Sequence, residues 1–211
     1  MRYCALILVV LLAATFAAEP EQFNARELVR RGSEELVAGK INEAIRSFEE
    51  AIKLQPAAKA HLWQLGIAYY YAERFEDGRK LFELHQTVNE HDVENAVWHF
   101  ICTARAKNLE AAQKALIPIS GDARVPMKEV HALFAGTGTE QQVIEAASKL
   151  EDAANRQNAL CYAHLYLALH AEANGKKEAA AEHIKKAAED YRQDHYMGQI
   201  ARLHAKLRSQ K

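Results

Sequence analysis

The sequence predicts an all-α protein: a superhelix, or solenoid, of about five stacked helical hairpins with a C-terminal capping helix. A small residue recurs at a constant spacing, and a large apolar residue follows each one four positions later. The small residues are Ala44, Gly78, Ala112, Ala146 and Ala180, and the large ones are Phe48, Phe82, Leu116, Leu150 and Ile184. Positions i and i+4 share a helix face. A repeat period of about 34 residues accommodates two helices, and such hairpins must stack to bury their apolar sides.

The first residues differ from the rest of the chain. Arg2 is followed by an apolar stretch at 5–18 and then by an acidic segment. This is the pattern of a secretory signal peptide, and the stretch is shorter than the roughly 20 residues of a membrane-spanning helix. We therefore expect a signal peptide at 1–17, cleavage after Ala17 or Ala18, an exported (periplasmic or secreted) protein, and no integral membrane span.

The mature chain, 18–211, is predicted to be a single solenoid domain. Its repeats are expected at about 25–58, 59–92, 93–126, 127–160 and 161–194, with the cap at 195–211. In the first two repeats a glycine on the first helix, Gly32 or Gly66, permits close helix approach. Phe48 and Phe82 on the second helices are then expected to fill the space between hairpins. Pro56 ends its helix because it lacks a backbone donor.

The later repeats are less regular. Their expected helices are 94–107, 126–135, 140–154, 165–173, 178–190 and 191–208. Thr139 is the expected N-cap of its helix, and Asn174-Gly175 is an expected turn. Repeats three and four keep the period on their second helices but lose the usual first-helix pattern.

Composition excludes some functions. The formal net charge is −1, so no excess of basic residues is available for nucleic acid. Cys102 and Cys161 remain after signal removal, and an oxidising compartment permits them to pair. Both lie in apolar helical stretches, where cysteine behaves as a small buried hydrophobe. Whether they pair is left open.

No catalytic motif is evident. None of the 10 histidines lies three or four residues from another, the spacing that places two metal ligands on one helix face, and no Gly-x-Ser-x-Gly elbow or glycine-rich phosphate loop occurs. We therefore expect no enzyme activity, no metal and no cofactor. The alternative is a histidine-based metal-binding or hydrolytic protein that uses His85, His91 or His99.

The favoured functional surface is the concave inner face formed by the first helices. Its candidate contacts for proteins or peptides are Trp63, Ile67, Tyr70, Tyr71, Glu94, Trp98 and Arg105. Aromatic residues on a concave wall are typical of surfaces that bind extended or helical peptides. Two alternatives are that they pack against the neighbouring hairpin, or that they are buried in a homodimer.

The second repeat carries a family resemblance. Leu62, Leu65, Gly66 and Tyr69, followed by Gly78 and Phe82, resemble the tetratricopeptide repeat. Some proteins of that family clamp a C-terminal carboxylate with Lys, Asn and Arg. The matching positions here are Val29, Ser33, Glu94 and Trp98. A cytosolic co-chaperone is therefore not expected.

A narrower resemblance is to the NlpI-like bacterial envelope adaptors. It depends on segments 62–82, 92–106, 134–141 and 195–207. It implies a dimeric scaffold that brings an envelope protease together with cell-wall hydrolases, in envelope or peptidoglycan maintenance. Those proteins are lipid-anchored through a cysteine at the end of the apolar run. Here Cys4 precedes that run, so a lipid anchor is not expected.

Overall fold

The computed structural model describes residues 23–209, and the predicted signal peptide lies outside them. This part of the chain is helical and contains no strand, which confirms the all-α prediction. Among its helices, none is both long and apolar enough to cross a membrane.

Eleven α-helices make up most of the described range. They are α1 Ala25–Val37, α2 Ile41–Leu54, α3 Trp63–Tyr71, α4 Phe75–Gln86, α5 Val93–Ala106, α6 Leu109–Lys114, α7 Met127–Phe134, α8 Glu140–Ser148, α9 Ala153–Ala173, α10 Lys177–Lys185 and α11 Tyr196–Arg208. A 3-10 helix, Pro56–His61, precedes α3, and a π-helical turn, Lys186–Asp190, follows α10.

The repeat period of the sequence is visible in the helix boundaries. The helices pack in five consecutive pairs, α1 with α2 through α9 with α10. The second helices of three successive pairs begin one period apart, at Ile41, Phe75 and Leu109, and that of the fifth pair begins two periods after Leu109, at Lys177. The repeating unit of the sequence is therefore a helix pair in the structure.

In each of the first two pairs, the glycine of the first helix lies against the phenylalanine of the second helix, a contact within the hairpin, whereas the phenylalanines were expected between hairpins. A Cβ atom added to Gly66 would lie 2.5 Å from Cζ of Phe82, and one added to Gly32 would lie 3.0 Å from Cε1 of Phe48. Both phenylalanines are buried. The same contact thus recurs one repeat apart, and it requires the absence of a side chain on the first helix.

We expect Gly66→Ala to lower the free energy of unfolding by about 1–3 kcal/mol, because the added methyl group overlaps the Phe82 ring. Alanine also stabilises a helix relative to glycine by up to about 1 kcal/mol. The measured loss is therefore the cost of the overlap less this gain. Gly32→Ala, with its longer contact, is the matched comparison and should cost less. Urea unfolding followed by circular dichroism measures both, and Phe82→Leu should restore part of the loss. A Gly66→Ala protein as stable as the parent would contradict this packing argument.

The fourth pair departs from the sequence prediction. Thr139 is the N-cap as expected, and its side chain accepts a hydrogen bond from the Gln142 N–H. However, α8 ends at Ser148 rather than at 154, so Leu150 does not lie on it. The residues that α8 buries are Val143 and Ala147, so the predicted register on this helix is wrong.

The break after α8 has a local cause. The Asp152 side chain accepts from the Asn155 N–H and thereby starts a new helix at Ala153. Leu150 lies beyond the end of α8, and its carbonyl oxygen accepts a hydrogen bond from the Arg156 side chain. As a result α9 has 21 residues and begins well before the predicted 165. The last helix likewise begins at Tyr196 rather than at 191.

The C-terminal helices cover the inner side of the array. Helix α9 contacts α5, α11 contacts α1, and side chains of α9 and α11 reach α3. One cluster of buried apolar side chains extends from Leu36 in α1 to Leu203 in α11. An open superhelix has contacts only between neighbouring pairs, whereas this chain also joins its first helix to its last.

Candidate functional site

The structure places the seven predicted contact residues in different environments. Ile67, Tyr70 and Trp98 are 0%, 3% and 1% exposed and belong to the core. The prediction that these three are surface residues is wrong. Trp63 and Tyr71 are half-buried against the same core.

The covering helices explain this burial. The Tyr70 hydroxyl donates to Glu172 of α9 at 2.9 Å, and the Tyr71 hydroxyl lies 3.2 Å from Nδ1 of His204 in α11. The Trp63 ring meets the Tyr196 ring edge-on at 5.2 Å between centroids. The side of α3 that was expected to be open is therefore occupied by the protein's own C-terminal helices.

Glu172 anchors this covering layer. It accepts two hydrogen bonds from Arg208, at 2.9 and 2.6 Å, and its Oε2 atom lies 2.9 Å from Nε2 of His204. Arg105, which remains partly exposed, forms an ion pair with it at 3.5 Å. Burial alone would raise the pKa of Glu172, but the hydrogen bonds from His204 and Arg208 lower it well below its usual range. Glu172 is thus held as a carboxylate at the junction of α3, α5, α9 and α11.

A pocket of about 350 Å³ remains between α3, α4 and α5 on one side and α9 and α11 on the other. We call it the aromatic pocket, because five of the side chains that line it are aromatic and come from both layers: Trp63, Phe82, Trp98, Tyr162 and Tyr196. At the edge of the pocket, Trp63 and Tyr196 are half-buried. The pocket therefore opens to solvent beside two aromatic rings.

Carboxylates line one end of the aromatic pocket. Arg124 donates to Asp92, Glu94 and Asp122 at 2.6, 2.5 and 2.7 Å, and the Tyr166 hydroxyl also donates to Glu94. Burial raises the pKa of Glu94, although Arg124 opposes the effect. Burial also acts to raise the pKa of Asp122, but hydrogen bonds from Arg124 outweigh it and the pKa is lowered. Three carboxylates therefore share one guanidinium group.

Three side chains that line the pocket carry a buried polar atom with no hydrogen-bond partner among the described residues. These atoms are Asn95 Oδ1, Trp98 Nε1 and His195 Nε2, whereas the Tyr196 hydroxyl interacts with Ser33. Native proteins satisfy most buried polar atoms. Three such atoms on side chains that line one pocket therefore make it the candidate ligand site of the described range.

The chemical character of these atoms can be assigned. His195 Nδ1 accepts a hydrogen bond from the Gly198 N–H, and burial lowers the pKa of His195, which keeps the ring neutral. Its proton is therefore on Nε2, which is a donor. Trp98 Nε1 is also a donor, and Asn95 Oδ1 is an acceptor.

Of the seven predicted contact residues, Trp63, Glu94 and Trp98 line this pocket, whereas none of its residues from α9 and α11 was among the seven. The sequence analysis expects a capping helix from 195 and gives the aromatic and histidine residues crowded into 191–196 no contact role. That crowding was the available signal, because a purely polar cap has no need of such side chains. The structure brings His195 and Tyr196 back to α3 and α5.

The histidines of the alternative hypothesis have separate environments. His85 hydrogen-bonds the Ala60 carbonyl oxygen at 2.8 Å, His99 is buried beside Glu83, and His91 is exposed. Across residues 23–209, no group of three or more His, Cys, Asp or Glu side chains is arranged to hold a metal ion.

Both cysteines of the described range are buried and carry free thiols. Burial raises the pKa of Cys102 and also that of Cys161, the latter to about 11. Because the thiolate is the nucleophile, neither thiol is activated for catalysis.

No protein-family model matches this sequence, and no curated protein is significantly similar to it. The function is therefore inferred from the geometry of the chain itself.

Proposed function

We propose that this protein is a non-catalytic, exported adaptor of the tetratricopeptide-repeat type, which holds partner proteins by a short peptide segment seated in the aromatic pocket. The single observation that carries the proposal is the set of unpartnered polar atoms in a pocket edged by two half-buried aromatic rings. Small pockets with aromatic walls and a few directed polar groups are typical binding sites. The adaptor class is favoured by the regular recurrence of the helix pairs along the chain.

The proposed binding location is the aromatic pocket, whereas the sequence predicted the whole concave face. A peptide running along the whole concave face would overlap α9 and α11, whereas a segment that inserts one or two side chains beside Trp63 and Tyr196 would not. Partners in the cell envelope, such as proteases and cell-wall hydrolases, and a dimeric state remain what the NlpI-like resemblance implies. They belong to this proposal as its expected biological setting.

Site-specific photo-crosslinking tests the proposal. Benzoylphenylalanine at position 63 should crosslink, in cells that make the protein, to one defined segment of a partner protein, identified by mass spectrometry. The control is the same group at Leu54, which is 61% exposed on α2 and does not line the pocket. Identical products from both positions would overturn the proposal. Crosslinks from position 63 only to a second copy of the chain would also overturn it, in favour of a dimer interface.

A further inference from the structure

The charge of the aromatic pocket is unbalanced toward the negative. Asp92 and Glu94 line it and share Arg124 with Asp122, which lies outside the lining, and no second cationic side chain in the described part of the chain lies within ion-pair distance of these carboxylates. The two histidines that line the pocket, His85 and His195, are held by hydrogen bonds through Nδ1. The unmatched charge favours a cationic ligand.

The walls of the pocket favour a planar cation. Guanidinium groups stack on aromatic faces. They are also more weakly hydrated than ammonium groups, so they lose less hydration free energy on leaving water. The protein already uses this contact elsewhere: the guanidinium of Arg74 lies 4.2 Å from the centre of the Tyr69 ring, and that of Arg105 lies 4.7 Å from the Phe75 ring. Arg124 itself shows that the carboxylates receive guanidinium donors at short distance.

The remaining polar atoms match a peptide backbone. Trp98 and Asn95 are 1% and 2% exposed, both line the pocket, and each has one unpartnered side-chain atom. The N–H groups of Trp98 and His195 can donate to backbone carbonyl oxygens, and Asn95 Oδ1 can accept from a backbone N–H. A volume of about 350 Å³ is near the lower end of ligand sites, which is appropriate for one long side chain and its adjoining backbone.

We infer that the aromatic pocket recognises an arginine side chain within the partner segment, with Asp92 and Glu94 receiving its guanidinium group and Trp98, Asn95 and His195 binding the adjoining backbone. This assignment rests on the proposed adaptor function, and it names the chemistry by which the partner is selected. Lysine is disfavoured because its compact, strongly hydrated ammonium group cannot stack in the same way.

The chain supplies its own probe. It contains 2 tryptophans, Trp63 and Trp98, and both line the aromatic pocket. Intrinsic tryptophan emission therefore reports on this pocket alone. The test titrates the mature protein with acetyl-Ala-Arg-Ala-amide and with the same tripeptide carrying citrulline, which has the shape of arginine without its charge. A lysine tripeptide completes the series.

The arginine tripeptide should change the emission saturably with a Kd of about 1 mM or below, and citrulline and lysine should each bind at least about tenfold more weakly. Glu94→Gln and Asp92→Asn should each weaken arginine binding about tenfold and leave citrulline binding unchanged. Asparagine caps a helix as well as aspartate, so Asp92→Asn retains the start of α5. Glu76→Gln, an exposed carboxylate of α4 outside the pocket, is the control.

Equal affinity for arginine and citrulline, or the absence of any saturable change with arginine, would overturn the inference. The two proposals fail separately. A partner segment that crosslinks at position 63 but contains no arginine would leave the adaptor function standing and refute arginine recognition. Arginine binding without any crosslinked partner would refute the adaptor function.

Discussion

Glu172→Gln is expected to lower the free energy of unfolding by about 3–5 kcal/mol, the range measured when one partner of a buried ion pair is removed. Glu172 receives five contacts from four side chains, and its side chain is only 15% exposed. Glutamine keeps the shape but loses the charge, which leaves the half-buried Arg208 guanidinium without a counter-ion. Urea unfolding followed by circular dichroism gives the change directly.

An exposed glutamate provides the control for Glu172→Gln. Glu182 forms an ion pair with Lys186 one helical turn away and is 66% exposed, so Glu182→Gln should change the free energy of unfolding far less than Glu172→Gln. Adding Arg208→Met to Glu172→Gln should cost less than the sum of the single changes, because the two groups interact directly. A loss below about 1 kcal/mol for Glu172→Gln would contradict the role of this carboxylate in holding α9 and α11 against the array.

Mild acid is expected to destabilise the protein, chiefly through a buried histidine pair. His164 and His183 face each other with 2.9 Å between their Nδ1 atoms, and His164 stacks on Tyr191. Burial, together with the neighbouring His183, lowers the pKa of His164 from 6.5 to about 4. The pKa of His183 is also lowered by burial, although Glu140 opposes the effect.

The direction in which stability changes with pH follows from proton binding. Between pH 6.5 and 4 the unfolded chain holds a proton on His164 that the folded chain does not, so stability falls as the pH falls through this window. Above pH 6.5 both states are neutral and the effect vanishes. Over this window, from pH 7.5 to 5, His164 alone should cost roughly 2 kcal/mol.

The measurement is the urea midpoint at pH 7.5 and at pH 5. His164→Phe keeps a ring against Tyr191 but cannot take up a proton, so the loss between the two pH values should shrink by roughly 2 kcal/mol. His91→Gln, at an exposed position, should leave the loss unchanged. An unchanged loss in His164→Phe would show that other groups cause the acid sensitivity.

The packing of single repeats was predictable from the sequence. The close helix approach at Gly32 and Gly66, the cap at Thr139 and the all-helical class depend on residues close in the chain or repeated at a fixed spacing. Such local steric and hydrogen-bonding preferences are present in the sequence pattern itself.

The arrangement of the pairs relative to one another was not predictable in the same way. Tyr70 and Glu172 are 102 residues apart, and Tyr71 and His204 are 133 apart. No periodic pattern encodes a contact across such a separation, so the repeat pattern alone predicts an open concave face. Glu94 and Trp98 line the aromatic pocket, but the residues that complete this pocket come from the far end of the chain.

The contact between the first and last helices also limits how this array can evolve. An open repeat array lengthens when a hairpin is duplicated, because each hairpin needs only its neighbours. Here an inserted hairpin would move α11 away from α1 and α3, separating Trp63 from Tyr196 and Tyr71 from His204. The number of hairpins is therefore fixed by closure, and descendants of this chain are expected to vary in their loops and surface side chains rather than in their repeat count.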